Sequence, residues 1–128
     1  KNKVNGGWSN VSPRIYVLQL ANKASAGGKL TPLEAKILRG QSAQANGFEN
    51  VPLFGLVMLI GTYAKLPNET LNRTTAFYLV SRAVYNLLYL NTSDRKNVRS
   101  GFSRTIVFNA GIIALLRIIV LATQQINA

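Results

Sequence analysis

Six polar residues could do chemistry in this chain: Asn46, Glu49, Arg82, Tyr85, Tyr89 and Arg99, all within or beside apolar, helix-forming sequence. Arg39, Ser42, Asn46 and Glu49 recur at i, i+3, i+7 and i+10, which lines them along one helix face. Gln44 falls off that face, where it could reach a neighbouring subunit. Arg82, Tyr85 and Tyr89 recur at i, i+3 and i+7, with Asn86 beside them, and make a second such face. A charge near a bilayer core costs several kcal/mol, so charges there pair inside a bundle and mark a site. Glu49 and Arg82 have opposite charge and similar depth, which predicts an interhelical pair that either staples the bundle or serves a ligand. Arg99 and Ser100 open the last apolar helix, at the membrane surface. Arg117 reads as a snorkelling or interhelical residue with no ligand role.

Composition restricts the chemistry further. The chain has no Cys and no His, so it lacks a thiolate nucleophile, a disulfide framework and the commonest metal ligand and general base, and no metal site is expected. With 15 Lys+Arg against 4 Asp+Glu, the formal charge is +11. Such a balance suits nucleic acid, an anionic membrane surface or an acidic ligand. The cations gather in residues 1–39 and 94–104, outside the apolar runs. That is the pattern of membrane flanks, and it argues against nucleic acid as a partner.

The elements that must position these residues are helices. Residues 1–30 are polar and rich in Gly, Asn and Ser, with room for a short helix near 14–24, and read as an extramembrane segment. Thr31-Pro32-Leu33-Glu34 is a helix start, with Thr31 as cap, Pro32 in the first turn and Glu34 closing a capping box. The pattern predicts helices over about 31–66, 70–90 and 95–125, in one domain spanning 31–128. Pro52 falls inside the first of these, as membrane helices tolerate. Stretches 54–60 and 112–120 are apolar nearly all round, which a small soluble bundle cannot bury on every side. The positive-inside rule puts 1–39 and 94–104 on the cytoplasmic side.

Three motifs carry a family resemblance. The run from Gln44 to Phe54 contains Asn46-x-x-Glu49-x-x-Pro52 and resembles the N-x-x-E-x-x-P signature of the MAPEG family, the membrane-associated proteins in eicosanoid and glutathione metabolism. Arg82-x-x-Tyr85-x-x-x-Tyr89 resembles its R-x-x-Y-x-x-x-Y helix, and Arg99-Ser100 the pair that opens its last helix. The wording of these motifs is most similar to the fungal branch.

The resemblance implies an all-α integral membrane bundle, a four-helix protomer of which three helices lie in this chain and the first is missing, assembled as a homotrimer. It implies glutathione as cosubstrate, held between subunits near the cytoplasmic face of the endoplasmic reticulum or another intracellular membrane. Asn46 and Glu49 would bind its polar ends, with Glu49 on the amino group. Arg82, Tyr85 and Tyr89 would hold its carboxylates and backbone, Gln44 would reach in from a neighbouring subunit, and Ser100 would lie beside it. Arg99 would stabilise the thiolate, with Arg95 as its competitor in register. Active members carry Arg four residues before the Asn; Ser42 stands there, and Arg39 is the nearest cation. The function implied is a microsomal-type glutathione transferase or peroxidase acting on lipophilic small molecules, since the cosubstrate brings the nucleophile that the chain lacks. The alternatives are a homologue that binds lipid or a partner without catalysis and, more distantly, a soluble basic helical bundle that binds nucleic acid.

Overall fold

The computed structural model describes residues 12–91 and 98–128, with side chains for 12–91 and 101–128. The described residues form four α-helices: α1 (Pro13–Ser25), α2 (Pro32–Tyr63), α3 (Asn68–Asn91) and α4 (Val98–Ile126). They fall into two compact units, Lys1–Ser42 and Ala43–Ala128.

In the first unit, α1 occupies part of the stretch read as extramembrane. It ends at Ser25, and the chain turns away at Gly27, whose φ of 75° is the left-handed geometry glycine adopts without penalty. The start of α2 forms both halves of a capping box. The Thr31 backbone N–H donates to Glu34 Oε2 at 2.7 Å, and the Glu34 N–H donates to Thr31 Oγ1 at 3.2 Å. Lys23 Nζ, arriving from α1, bonds the same carboxylate at 3.0 Å. These bonds hold the Glu34 carboxyl below the usual carboxylate range, first through the Thr31 N–H and then through Lys23.

In the second unit, α2, α3 and α4 pack as an up-down-up bundle. Moving along α2 through Asn46, Phe54, Met58 and Gly61, the α3 partners run backwards through Tyr85, Tyr78, Thr75 and Leu71, so these helices are antiparallel. Residues 81, 82 and 89 of α3 meet 111, 108 and 104 of α4 in the same reversed sense.

The turn that closes α2 is a Schellman motif. Leu66 N–H reaches the Gly61 carbonyl at 3.0 Å and Lys65 N–H the Thr62 carbonyl at 3.0 Å, with Lys65 at φ 56°. This wrap stops the helix at Tyr63, short of Leu66, and Pro67 leads into α3. α4 is described from Val98 onward, and its predicted start near residue 95 lies outside the described residues.

The core lies toward this turn. Val57, Leu71, Tyr78, Leu115, Ile118 and Ala122 are buried together, and Ile118 is fully enclosed. A Cβ at Gly61 would come within 2.7 Å of Leu71 Cδ2 and 2.9 Å of Ile118 Cγ2, so glycine there sets how closely the three helices approach. Outside, Leu56, Leu59, Leu87, Ile113, Leu116 and Val120 are exposed on all three helices. So much exposed aliphatic surface is unfavourable in water and suits a lipid or subunit surround. Among the described residues, one helix segment, Gly101–Ile126, is long and apolar enough to cross a membrane, with mean hydropathy 2.3.

Candidate functional site

At the end of the bundle away from the Pro67 turn the helices part around an open cleft of about 420 Å³. α2 contributes Asn46, α3 contributes Tyr85 and Tyr89, and α4 contributes Gly101, Arg104, Thr105, Phe108 and Asn109. The α4 residues recur at i, i+3, i+4, i+7 and i+8, one continuous face of that helix. The two tyrosines are one turn apart on α3, with rings 5.7 Å between centroids, and Tyr85 also meets Phe108 at 5.8 Å.

Hydrogen bonds fix the cleft walls. Asn46 Nδ2 donates to the Tyr85 hydroxyl at 3.1 Å, joining α2 to α3. Asn50 Nδ2 donates to the Asn46 carbonyl at 2.6 Å and braces that turn of α2. The Arg104 guanidinium lies 4.7 Å from the centre of the Tyr89 ring. Donors therefore converge on the cleft from all three helices, among them two amides, two phenols, a hydroxyl and one guanidinium, and none of the described lining residues is a carboxylate. Such a wall recognises an anionic, polar ligand through hydrogen bonds.

Arg82 takes a different place from the one its charge suggested. It is half-buried between α3 and α4, where Nη2 donates to the Phe108 backbone carbonyl at 2.8 Å. Its guanidinium packs against the rings of Phe108, Tyr78 and Tyr85 at 4.6, 5.2 and 5.6 Å, and its buried Nε has no hydrogen-bond partner. Gly111 makes room for it, since a Cβ there would meet Arg82 Nη2 at 2.7 Å and Ser81 Oγ at 2.6 Å. The expected Glu49–Arg82 ion pair is thus corrected: Arg82 is held by a carbonyl and three rings, while Glu49 is exposed on α2. Among the described residues the ion pairs are Lys23–Glu34 and Glu69–Arg73.

The chain belongs to the MAPEG family. Its family model matches residues 10–123, which include α2, α3 and most of α4. No curated protein matches the chain, and no solved structure does. Family membership makes this a membrane-associated helical bundle of a family whose members act in glutathione-related chemistry.

In this MAPEG chain the structure brings together three of the residues singled out by spacing: Asn46, Tyr85 and Tyr89. Gln44 is exposed, two residues and about 200° round α2 from Asn46. Arg39 belongs to the first unit, as does Ser42, whose hydroxyl turns back to the Leu38 carbonyl at 3.1 Å. Arg95 lies outside the described residues, as do the side chains of Arg99 and Ser100, whose backbone is in the first turn of α4. Arg104, Thr105 and Asn109 escaped the sequence reading. Their signal was present as the one polar stripe on α4, at i, i+1 and i+5, in register with Arg99 only loosely.

Proposed function

We propose that this MAPEG protein is a glutathione-dependent transferase or peroxidase that conjugates or reduces lipophilic electrophiles in an intracellular membrane. One observation supports the reading above the rest. Asn46, Tyr85 and Tyr89, three motif residues far apart in sequence, line a single cleft together with a guanidinium and, among the described residues, no carboxylate. Glutathione is a flexible anion with amide, carboxylate and thiol groups, and it matches a wall built mainly of donors. The exposed Glu49 carboxylate is the group available for the ligand's amino end, and Gln44 for contact from a second subunit of a homotrimer.

The chemistry follows from the missing nucleophile. A thiol of pKa near 8.5 is about 3% ionised at pH 7, and an adjacent guanidinium raises the thiolate share. In this reading Arg99 supplies that guanidinium. The sulfur forms a C–S bond as an epoxide or leaving-group bond breaks, the departing oxygen or group taking a proton from water. With a peroxide as acceptor, two glutathiones end as disulfide, and the peroxide as alcohol plus water.

The test is a glutathione titration of the full chain in detergent near neutral pH, followed by thiolate absorbance in the ultraviolet. The expected band disappears in Arg99→Ala and persists in Arg117→Ala. Glutathione binding without a thiolate band in the parent protein would leave a non-catalytic binder, the reading that the uncharged Ser42 favours.

A further inference from the structure

Among the described residues lining the cleft, Arg104 is the one ionised group, and the other polar members are amides, a hydroxyl and phenols. The carboxylates described elsewhere do not reach it. Glu34 is bound by Lys23, Glu69 pairs with Arg73, and Glu49 does not line the cleft. A half-buried cation in a membrane bundle is costly until an anion meets it. The Tyr89 ring holds the guanidinium at 4.7 Å without neutralising it, and among the described residues no carboxylate pairs with Arg104. Gly101, one turn earlier on the same face, adds no side chain that would cover it; a Cβ there would lie 4.0 Å from Arg104 Nη2.

We infer that Arg104 is the carboxylate-binding residue of this cleft, pairing its guanidinium with a carboxylate of the bound ligand while Tyr89 holds it in place. The inference rests on the reading of the cleft as a glutathione site and assigns the cation to one end of that ligand. The planar guanidinium presents parallel N–H bonds that match the two oxygens of a carboxylate, whereas a thiolate offers a single acceptor. Asn46 and Tyr85, bonded to each other across the cleft, stand ready for the neutral amides of the same ligand.

Three ligands separate the possibilities when titrated calorimetrically into the full chain in detergent: glutathione, S-methylglutathione, and glutathione diethyl ester with both carboxylates masked. Arg104→Gln is expected to weaken glutathione and S-methylglutathione by about tenfold or more, with Arg104→Lys intermediate. The diethyl ester, already weak, is expected to bind parent and variant alike. An equal loss for acid and ester would make Arg104 a structural residue. A loss confined to the ligand with a free thiol would move it to the sulfur. Unchanged affinity for all three would remove it from the site. Each of these overturns the inference while leaving the glutathione reading intact. A parent protein that binds no glutathione ends that reading and the inference with it. Arg117→Gln, exposed on α4 outside the cleft, controls for loss of positive charge, and matched thermal midpoints show that the variants fold.

Discussion

The two ends of the Ala43–Ala128 bundle are built from the same three helices and do opposite things. Near the Pro67 turn, Gly61 lets α2 come so close to Leu71 and Ile118 that one added carbon would clash with both. At the other end, Asn46, Tyr89 and Arg104 stand around an open cleft of about 420 Å³. Close packing at one end fixes the helices' direction and spacing, and so sets the opening at the other. In lipid, where the surroundings are as apolar as leucine, helices gain from contact mainly through dispersion and hydrogen bonds. A bundle of this kind can therefore be tight at one end and hold a polar opening at the other only if something braces the middle. Arg82 is that brace: it lies between the two ends, tied to Phe108 and ringed by three aromatic side chains.

The brace carries the largest expected effect. Arg82→Lys keeps the charge but loses the planar fork and the ring stacking, so the cation stays half-buried with poorer partners. We expect a loss of about 2 kcal/mol in stability, read as a lowered unfolding midpoint in detergent. An unchanged midpoint would mean that the two ends are not coupled through this residue. At the packed end, Gly61→Ala sets overpacking of about 1–3 kcal/mol against a gain of about 1 kcal/mol in helix propensity. The expected net loss is about 1 kcal/mol, with glutathione affinity of the folded protein unchanged. A stabilised variant would show that Leu71 and Ile118 move aside freely and that the close approach is not set there.

At the open end the order of effects reverses. Tyr85→Phe removes the hydroxyl that accepts from Asn46 Nδ2. Membrane hydrogen bonds average about 0.6 kcal/mol, so the midpoint should barely move. Ligand affinity should fall more than stability does, because Asn46 and position 85 both face the cleft. A midpoint shift larger than that of Gly61→Ala would show that the cleft wall is structural.

Much of this division was legible in the sequence, and the missing parts share a cause. Helical spacing placed Tyr85 and Tyr89 on one face, and the Thr31–Glu34 signature is a bonded capping box, because both are set within a single helix. What one helix meets on another was less legible. Arg82 was matched to Glu49 by charge, yet its partner is a backbone carbonyl, which every residue carries and no sequence displays. Arg104 read as one more cation in a basic flank, since its place in the cleft depends on the rotation of α4 against Tyr89. The end of α2 at Tyr63 came from Lys65 turning left-handed, a conformation that glycine signals and lysine does not.

The two acidic residues of α2 repeat the contrast on a smaller scale. Glu34 is satisfied within the protein by the Thr31 N–H and Lys23, while Glu49 is exposed with its carboxylate free of any ion pair among the described residues. Because the Glu34 carboxyl is held below its ordinary range when folded, its stabilising contribution is present above the unfolded value and is lost as pH falls through the folded one. The start of α2 should therefore loosen only in acid, below the ordinary carboxylate range. Carbon-13 NMR of the Glu34 carboxyl in the full chain should show a titration lower than that of free glutamate. Lys23→Met should move it only part of the way back, because the Thr31 N–H is the larger cause and remains. Full recovery on losing Lys23 would transfer the main role to the salt bridge and reduce the capping box to a passive geometry. An ordinary titration in the parent protein would mean that neither the Thr31 N–H nor Lys23 holds the Glu34 carboxylate in solution.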